Sequence, residues 1–319
     1  MSKKCLVVMY HYVRNLNDSR YPNINGLDYE LFKKQIEFFK VNYNFINYNQ
    51  LLECYCNNIS LPENSVLLTF DDGYIDHYTN IFPLLVDNSI EAIFSIPGKI
   101  ISEGKLLDVN KIHFILASSN IEILINKVYE KLNYYRGREF DFPSNDELYN
   151  KLAVANRFDS EKVIFIKRLL QNELDERLRN IITSDLFESC IPISEKAFAK
   201  ELYMNIDQVK LMKKYGMHFA IHGYDHYWLE KLSYSDMKKD IAMALETFDG
   251  IIDKNNWSIC YPYGSYSNEL LSYISSIGCK IGFTTEVRCL DLSKDNMLTI
   301  PRLDTNDFPP KSENYIRFN

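Results

Sequence analysis

Residues 66–78 read "VLLTFDDGYIDHY" and begin as an uninterrupted apolar run. Such a run is typical of a strand that is buried on both faces. It ends in two adjacent acids, Asp71 and Asp72, although burial and mutual repulsion both disfavour neighbouring carboxylates. A helix N-cap with an acid in the first turn would explain one of the two acids, but not both of them followed by Gly-Tyr. The pair therefore indicates a functional site rather than a helix cap alone.

Similar short apolar runs recur along the chain, each followed by a polar turn and a helix-like stretch. They predict seven strands, at residues 5–9, 65–70, 92–96, 217–221, 258–261, 281–284 and 299–303. Helices are predicted at 29–43, 233–252 and 267–277, with Asp28 and Ser233 as N-caps and Gly278 as the C-terminal glycine. This alternation indicates a parallel α/β fold, and seven strands predict a barrel close to the eight-stranded kind but incompletely closed.

The strand–helix alternation stops between the third and the fourth predicted strand. Residues 105–204 have helical periodicity and many charges, but few strand signals. We therefore predict a helical insertion on the loop after the third strand, and a barrel formed by residues 1–104 and 205–319.

Charge and composition exclude several classes of protein. The 319 residues include 36 basic and 43 acidic ones, and the net charge of −7 argues against a nucleic-acid partner. No apolar run approaches the ~18 residues of a transmembrane segment. The first apolar run is interrupted by Tyr10, His11 and Arg14, so we expect a buried strand rather than a signal peptide. Seven irregularly spaced cysteines predict free thiols in a reducing compartment, and we expect a cytoplasmic location.

Polar residues follow five of the seven predicted strands, where the chemistry of α/β barrels collects. They are His11 after the first strand, Asp71 and Asp72 after the second, His222 and His226 after the fourth, "YPYGSY" at 261–266 after the fifth, and Arg302 with Asp304 after the seventh. The H-x3-H spacing is a weak signal alone, since two hydrogen-bonded structural histidines would give it too. Together with the acid pair it predicts an open site of two imidazoles and one carboxylate for Zn²⁺, Co²⁺ or Fe²⁺. One acid would bind the ion, and the other would remain a free base.

These motifs resemble the polysaccharide deacetylases of the NodB-homology group, carbohydrate esterase family 4. "TFDDGY" at 69–74 and "HGYDH" at 222–226 carry the resemblance, and "YPYG" at 261–264 is similar to the third motif of the family. "MYH" at 9–11 and "IPRLDTND" at 300–307 resemble one branch of it. The likeness covers about residues 5–100 and 206–307, without the insertion. It implies a deformed (β/α)7 barrel that removes acetyl groups from sugars.

The resemblance also implies roles for individual residues. Asp72, His222 and His226 would bind a divalent metal, with zinc expected and cobalt or iron as alternatives. Asp71 would be the general base, and the backbone N–H of Tyr263 would donate to the oxyanion. We further predict substrate contacts from three residues within the matched motifs, namely Tyr74, Tyr261 and Asp304.

Two departures from the family pattern concern charge and acid catalysis. Cys260 stands where the third motif usually has an arginine, and Arg302 could supply this charge or could instead form a rim salt bridge with Asp304 or another acid. The late Leu-x-His motif is missing, since no histidine follows His226. We predict His11 as the general acid, because an imidazole titrates near neutral pH whereas arginine and tyrosine do not. The alternative is a core histidine bonded to backbone. His77, His113 and His218 are interpreted as structural.

The predicted function is a metal-dependent hydrolase that removes an N-acetyl group from an amino sugar in surface glycan or polysaccharide biosynthesis. Its partners would be an N-acetylated sugar, a sugar nucleotide or a lipid-linked glycan. Two alternatives remain: a metal-independent hydrolase of other C–N bonds, and a catalytically inactive carbohydrate-binding protein with the same fold.

Overall fold

The computed structural model describes residues 3–157 and 159–318 of the chain. It divides into two compact units. The first comprises Met1–Asn15, Gly26–Gly104 and Lys200–Asn319, and the second comprises Leu16–Asn25 and Lys105–Ala199. The second unit therefore differs from the predicted insertion, because it includes Leu16–Asn25 and ends at Ala199.

All strands of the described residues lie in the first unit. They are β1 (Lys4–Tyr10), β2 (Val13–Arg14), β3 (Leu27–Asp28), β4 (Asn44–Phe45), β5 (Ser65–Asp71), β6 (Ile93–Ile96), β7 (His218–Ile221), β8 (Trp257–Cys260), β9 (Cys279–Phe283), β10 (Leu290–Asp291) and β11 (Leu303–Asp304). The main sheet has the order β10-β1-β5-β6-β7-β8-β9, with β11 paired to β1 and β4 paired to β5. Its pairs are parallel except for β1 with β10.

One segment after β9 connects the two ends of this sheet. Ile300 forms a parallel bridge with Phe283 of β9, and Leu303 pairs with Val8 of β1. The sheet therefore curls into the predicted deformed barrel. The segment is not the continuous strand predicted at 299–303, because Pro301 has no N–H to donate and the N–H of Arg302 bonds to the carbonyl of Glu286 at 2.9 Å.

The described residues form thirteen α-helices, which follow the strands and fill the second unit. They are α1 (Tyr29–Asn42), α2 (Tyr48–Cys56), α3 (Phe82–Asp87), α4 (Gly98–Ser102), α5 (Asp108–Ser118), α6 (Ile121–Tyr135), α7 (Asn145–Leu152), α8 (Glu161–Arg168), α9 (Glu176–Cys190), α10 (Glu195–Leu202), α11 (Ile206–Lys214), α12 (Tyr234–Thr247) and α13 (Asn268–Ser276). No helix of the described residues is both long and apolar enough to cross a membrane.

Local sequence signals set the ends of the helices that position the site. Asp28 and Ser233 cap α1 and α12 as predicted, each accepting a hydrogen bond from a backbone N–H of the first turn. Helix α12 ends at Thr247 rather than at 252, and Gly250 follows with φ +74°. Gly278 follows α13 with φ +97°, where a Cβ would lie 2.6 Å from the carbonyl oxygen of Lys254.

Strand β5 lies at the centre of the barrel core and is buried along its whole length. The ring of Phe70 stacks between those of Tyr10 and Phe94, with both centroids at 4.9 Å. Burial of each large apolar side chain stabilises the fold by about 1.5–3 kcal/mol. Strand β5, which ends at Asp71, is therefore anchored firmly in the core.

The second unit has its own apolar core of aromatic side chains. Phe198 packs edge to face against Phe114 and Phe187, with centroids at 4.6 and 5.4 Å. Tyr21 joins them through Phe114 at 5.0 Å, and Asn23 donates to the carbonyl of Ala117. These contacts explain why Leu16–Asn25 belongs to this unit, although it lies far from residues 105–199 in the sequence.

Candidate active site

The acid pair sits where β5 ends and the backbone turns sharply. Asp71 is the last residue of β5, and Asp72 follows with φ +76°, a conformation that few residues other than glycine adopt. Gly73 has φ +68°, and a Cβ there would lie 2.8 Å from Cγ2 of Ile96. The turn separates the two carboxylates, which have different partners. Three of the six non-glycine residues with positive φ among the described residues belong to this site: Asp72, His226 and Tyr263.

Asp72, His222 and His226 converge on one point. The Nε2 atoms of both histidines lie 3.3 Å from Oδ1 of Asp72, and all three residues are buried. The Nδ1–H of His222 donates to the carbonyl of Cys260 at 2.7 Å, so in the neutral imidazole the lone pair is on Nε2. Asp72 Oδ1 has no hydrogen-bond partner within the described part of the chain.

The donor set fits a divalent transition-metal ion. Two ligands about 2.1 Å from one tetrahedral ion stand about 3.4 Å apart, close to the observed 3.3 Å. Burial lowers the pKa of His226, which favours the neutral imidazole that a metal requires. Burial also lowers the pKa of His222, but Cys260, Asp72 and Asp71 outweigh it and raise that pKa well above its ordinary value. The pocket therefore favours positive charge, which a divalent ion would provide.

Asp71 is engaged in a buried ion pair with Arg302. Nη1 of Arg302 donates to Oδ1 of Asp71 at 3.0 Å, and its Nη2 lies 2.8 Å from Oδ2. Ser95 also donates to Oδ1, and the thiol of Cys260 lies 3.3 Å from Oδ2. Burial alone would raise the pKa of Asp71, but Arg302, His222 and His11 outweigh it and hold the pKa below its usual range. Asp71 is therefore ionised at neutral pH.

The rim salt bridge between Arg302 and Asp304, one of the two interpretations from the sequence, is wrong. Arg302 is 1% exposed, and its guanidinium contacts Asp71 and the Sγ of Cys260 at 2.9 Å. Its Nε donates to the carbonyl of Thr284 at 2.9 Å, which aims the side chain into the barrel. Because Cys260 is small, the guanidinium reaches Asp71 from the segment after β9.

His11 lies beside the same carboxylate at the end of β1. Its Nε2 is 3.9 Å from Oδ2 of Asp71, and its side chain is 40% exposed, so it is not a core histidine. Its backbone carbonyl accepts a hydrogen bond from Nε2 of the buried His77 at 2.9 Å, a structural contact for His77. The role of His11 as general acid stays a prediction.

Two of the three predicted substrate contacts do not fit their surroundings. Tyr74 and Tyr261 are 0% and 1% exposed, and their hydroxyls donate to Asp72 Oδ2 and to the carbonyl of Leu298. They offer no surface to a substrate, because the core covers both rings. Asp304 is half-buried and caps a short 3-10 helix by accepting a hydrogen bond from the N–H of Asn306 at 2.8 Å.

Tyr263 lies next to His226 in a left-handed conformation, with φ +59°. Its ring stacks on that of Trp228 at 4.5 Å and meets the ring of His226 edge-on at 4.8 Å. The predicted donation from its N–H to an oxyanion stays a prediction. The sequence motifs did not identify Trp228 as a residue of the site, although it stands only two positions after His226.

The loop between His222 and His226 is fixed by a residue of α12 that has no distinctive sequence signal. Asp240 accepts hydrogen bonds from the N–H groups of Tyr224 at 2.8 Å and Asp225 at 3.1 Å. Lys99 of α4 forms an ion pair with the side chain of Asp225. An acid in the second turn of an amphipathic helix carries no sequence signal for this contact, because solvent-facing acids are common there.

The chain resembles known proteins that are described as polysaccharide deacetylases. Residues 193–282 match the family model for polysaccharide deacetylase. A segment of 91 residues is 28% identical to "Putative polysaccharide deacetylase YxkH" of Bacillus subtilis (strain 168). That match covers 28% of this chain and 33% of YxkH, so it spans about a third of the curated relative.

Two solved structures resemble the whole chain. The deacetylase PplD of Streptococcus pyogenes, in complex with acetate, has a TM-score of 0.58 at 16% identity, covering 98% of this chain and 96% of PplD. IcaB from Ammonifex degensii has a TM-score of 0.57 at 17% identity, covering 98% of this chain and 95% of IcaB. At such identities the likeness establishes the fold.

Proposed function

We propose that this chain is a member of the polysaccharide deacetylase family and that it is a hydrolase that removes the acetyl group from an N-acetylated amino sugar. The observation that carries the proposal is the convergence of Asp72, His222 and His226 beside the ion pair of Asp71 with Arg302. A candidate metal site and a separate ionised carboxylate, at the carboxyl ends of β5 and β7, are groups that metal-assisted hydrolysis of an amide uses.

The metal belongs to the same proposal. Oδ1 of Asp72 and Nε2 of the two histidines would hold a divalent ion, with zinc expected from the nitrogen and oxygen donors. Such an ion would supply a Lewis acid that polarises the acetyl carbonyl and lowers the pKa of water.

Asp71 is the proposed general base. It accepts the proton of the water whose oxygen bonds to the acetyl carbon. Arg302 keeps this carboxylate ionised and fixes both of its oxygens, since a guanidinium matches a carboxylate at two points. The ion pair also makes Asp71 a weaker base. Asp71 is therefore suited to accept a proton from a water whose pKa a bound metal ion would already lower.

His11 is the proposed general acid. As the C–N bond breaks, the leaving nitrogen takes a proton from the imidazolium, because an amine anion is too poor a leaving group. The N–H of Tyr263 would donate to the developing oxyanion. The products are acetate and the free amine, and the 3.9 Å between His11 and Asp71 supports return of the proton from the base to the acid.

The substrate class and compartment follow as further parts of the proposal. We infer a sugar nucleotide or lipid-linked glycan intermediate of surface glycan assembly, in a reducing, cytoplasmic setting. All seven cysteines are free thiols, and four of them are buried, which supports such a setting. Fractionation of cells that express the chain at its native level would test the location.

Purified protein tests the catalytic proposal directly. Metal content is measured first, and acetate release is then followed with N-acetylglucosamine oligomers and a uridine-diphosphate N-acetyl sugar. We expect a bound divalent ion and release of acetate, both lost in His222→Ala. Activity that survives complete removal of metal would favour the metal-independent alternative, and bound metal without acetate release from any substrate would favour the binding protein.

A further inference from the structure

Tyr74 binds the oxygen of Asp72 that does not face the histidines. Its hydroxyl donates to Oδ2 of Asp72 at 2.5 Å, whereas Oδ1 lies 3.3 Å from Nε2 of both His222 and His226. The two oxygens of one carboxylate thus have separate partners. A buried charge–hydroxyl hydrogen bond of this length is strong enough to fix the rotation of the carboxylate.

The ring of Tyr74 is held so that this hydroxyl has one position. It stacks on the ring of Tyr12 with centroids 3.9 Å apart and an interplanar angle of 19°. Its backbone forms an antiparallel bridge with Tyr203, and the N–H of Met204 donates to the carbonyl of Gly73 at 3.0 Å. Tyr74 is fully buried, so neither water nor substrate competes for the hydroxyl.

We propose that Tyr74 is a positioning residue, which makes Asp72 a ligand through Oδ1 alone. A free carboxylate can bind an ion through one oxygen or through both, and two-point binding would use up a position that water or substrate needs. The hydroxyl prevents two-point binding by occupying Oδ2. It also fixes the rotation of the carboxylate, which keeps Oδ1 directed toward the two histidines and so strengthens metal binding. This inference rests on the proposed metal-dependent function.

Tyr74→Phe removes the hydroxyl and keeps the stacked ring, and Tyr48→Phe is the matched control. Tyr48 is also buried, its ring stacks on His218 at 3.6 Å, and its hydroxyl donates to Asn256 at 2.8 Å, without contact to the metal ligands. Co²⁺ affinity is measured on the metal-stripped full-length chain by competition with a coloured chelator. Denaturant unfolding of the metal-free variants reports the loss of stability in each.

We expect Tyr74→Phe to bind Co²⁺ about 10–100-fold more weakly with an altered visible spectrum, and Tyr48→Phe to bind as the wild type does. Equal affinity and spectrum in Tyr74→Phe and wild type would overturn the inference but not the proposed function. A wild-type chain that takes up no Co²⁺ would overturn both.

A measurement on the wild type serves if Tyr74→Phe does not fold. Infrared difference spectra with and without Co²⁺, with Asp72→Asn to identify the bands, report how the carboxylate binds. A wide separation of the two carboxylate stretching bands is expected for binding through one oxygen. A narrow separation, as for two-point binding, would contradict the role of Tyr74.

Discussion

Arg302 and Asp71, 231 residues apart in the sequence, form a fully buried two-point ion pair with contacts of 3.0 and 2.8 Å. Loss of one partner would leave the other charge buried and unpaired, which typically costs about 3–5 kcal/mol. We expect Arg302→Gln to lower the free energy of unfolding by this amount and to lower kcat strongly. Arg302→Lys should retain neither full stability nor full kcat, since an ammonium cannot bind both oxygens of the carboxylate as a guanidinium does. Denaturant unfolding and acetate release measure both effects.

A suitable control for that prediction is Arg288→Gln. Arg288 contacts Glu286 and Asp295 with a side chain that is 36% exposed. Exposed pairs contribute about 0–1 kcal/mol, so this variant should behave almost as the wild type. Equal losses in both arginine variants would contradict the catalytic importance of the buried pair.

His222→Ala should remove the metal site without disrupting the barrel. His222 follows β7, and its Nε2 is one of three donors around a single point. We expect loss of bound metal by elemental analysis, together with loss of acetate release. Treatment of the wild type with a chelator should have the same effect, reversed by Zn²⁺ or Co²⁺. Full metal occupancy in the variant would refute the ligand assignment.

His11→Ala should separate proton transfer from metal binding. Nε2 of His11 lies 3.9 Å from Oδ2 of Asp71, and His11 is not among the three described residues whose donor atoms converge on the candidate metal position. We expect normal metal content and a fall in kcat of ~10²-fold or more, with one limb of the pH–rate profile removed. Near-normal turnover with an unchanged pH profile would show that the acid is another group.

Asp240→Asn should weaken the loop that carries the two histidines. Both oxygens of Asp240 accept backbone N–H groups, and the amide of asparagine would present a second donor to one of them. We expect a loss of about 1–3 kcal/mol in the free energy of unfolding and weaker metal binding. Asp236→Asn on the exposed face of the same helix is the control, and an equally weak metal site there would argue against the role of Asp240.

Stability should fall as the pH falls below about 6.5, because His77 and His218 are buried. Burial lowers their pKa values to about 4 and about 3, from 6.5 in the unfolded chain. The unfolded state therefore binds protons first, and each histidine should cost about 2 kcal/mol of folding free energy between pH 7 and pH 5. His218→Gln should lose less stability over this range than the wild type in urea unfolding. Parallel pH dependence in the two proteins would rule out His218 as a cause.

Local pattern in the sequence predicted most of the architecture. Continuous apolar runs predicted strands that lie within a residue or two of β1, β5 and β6, because burial on both faces leaves no polar positions. The order of "TFDDGY" and "HGYDH" after their strands placed Asp72, His222 and His226 at one barrel edge, since parallel strands end on the same side. The apolar runs are local signals, and the common edge follows from the topology of parallel strands. Both can be predicted without knowledge of side-chain conformations.

Only the tertiary structure decided which polar side chains form ion pairs and hydrogen bonds with one another. The pairing of Arg302 with Asp71 rather than Asp304 depends on Pro301, the small Cys260 and the curl of the sheet, which bring distant segments within hydrogen-bond reach. Burial of Tyr74 and Tyr261 likewise depends on what covers them, and not on their own motifs. A sequence records which chemical groups follow each strand, whereas their partners are set by side-chain reach and packing across segments that no local pattern relates.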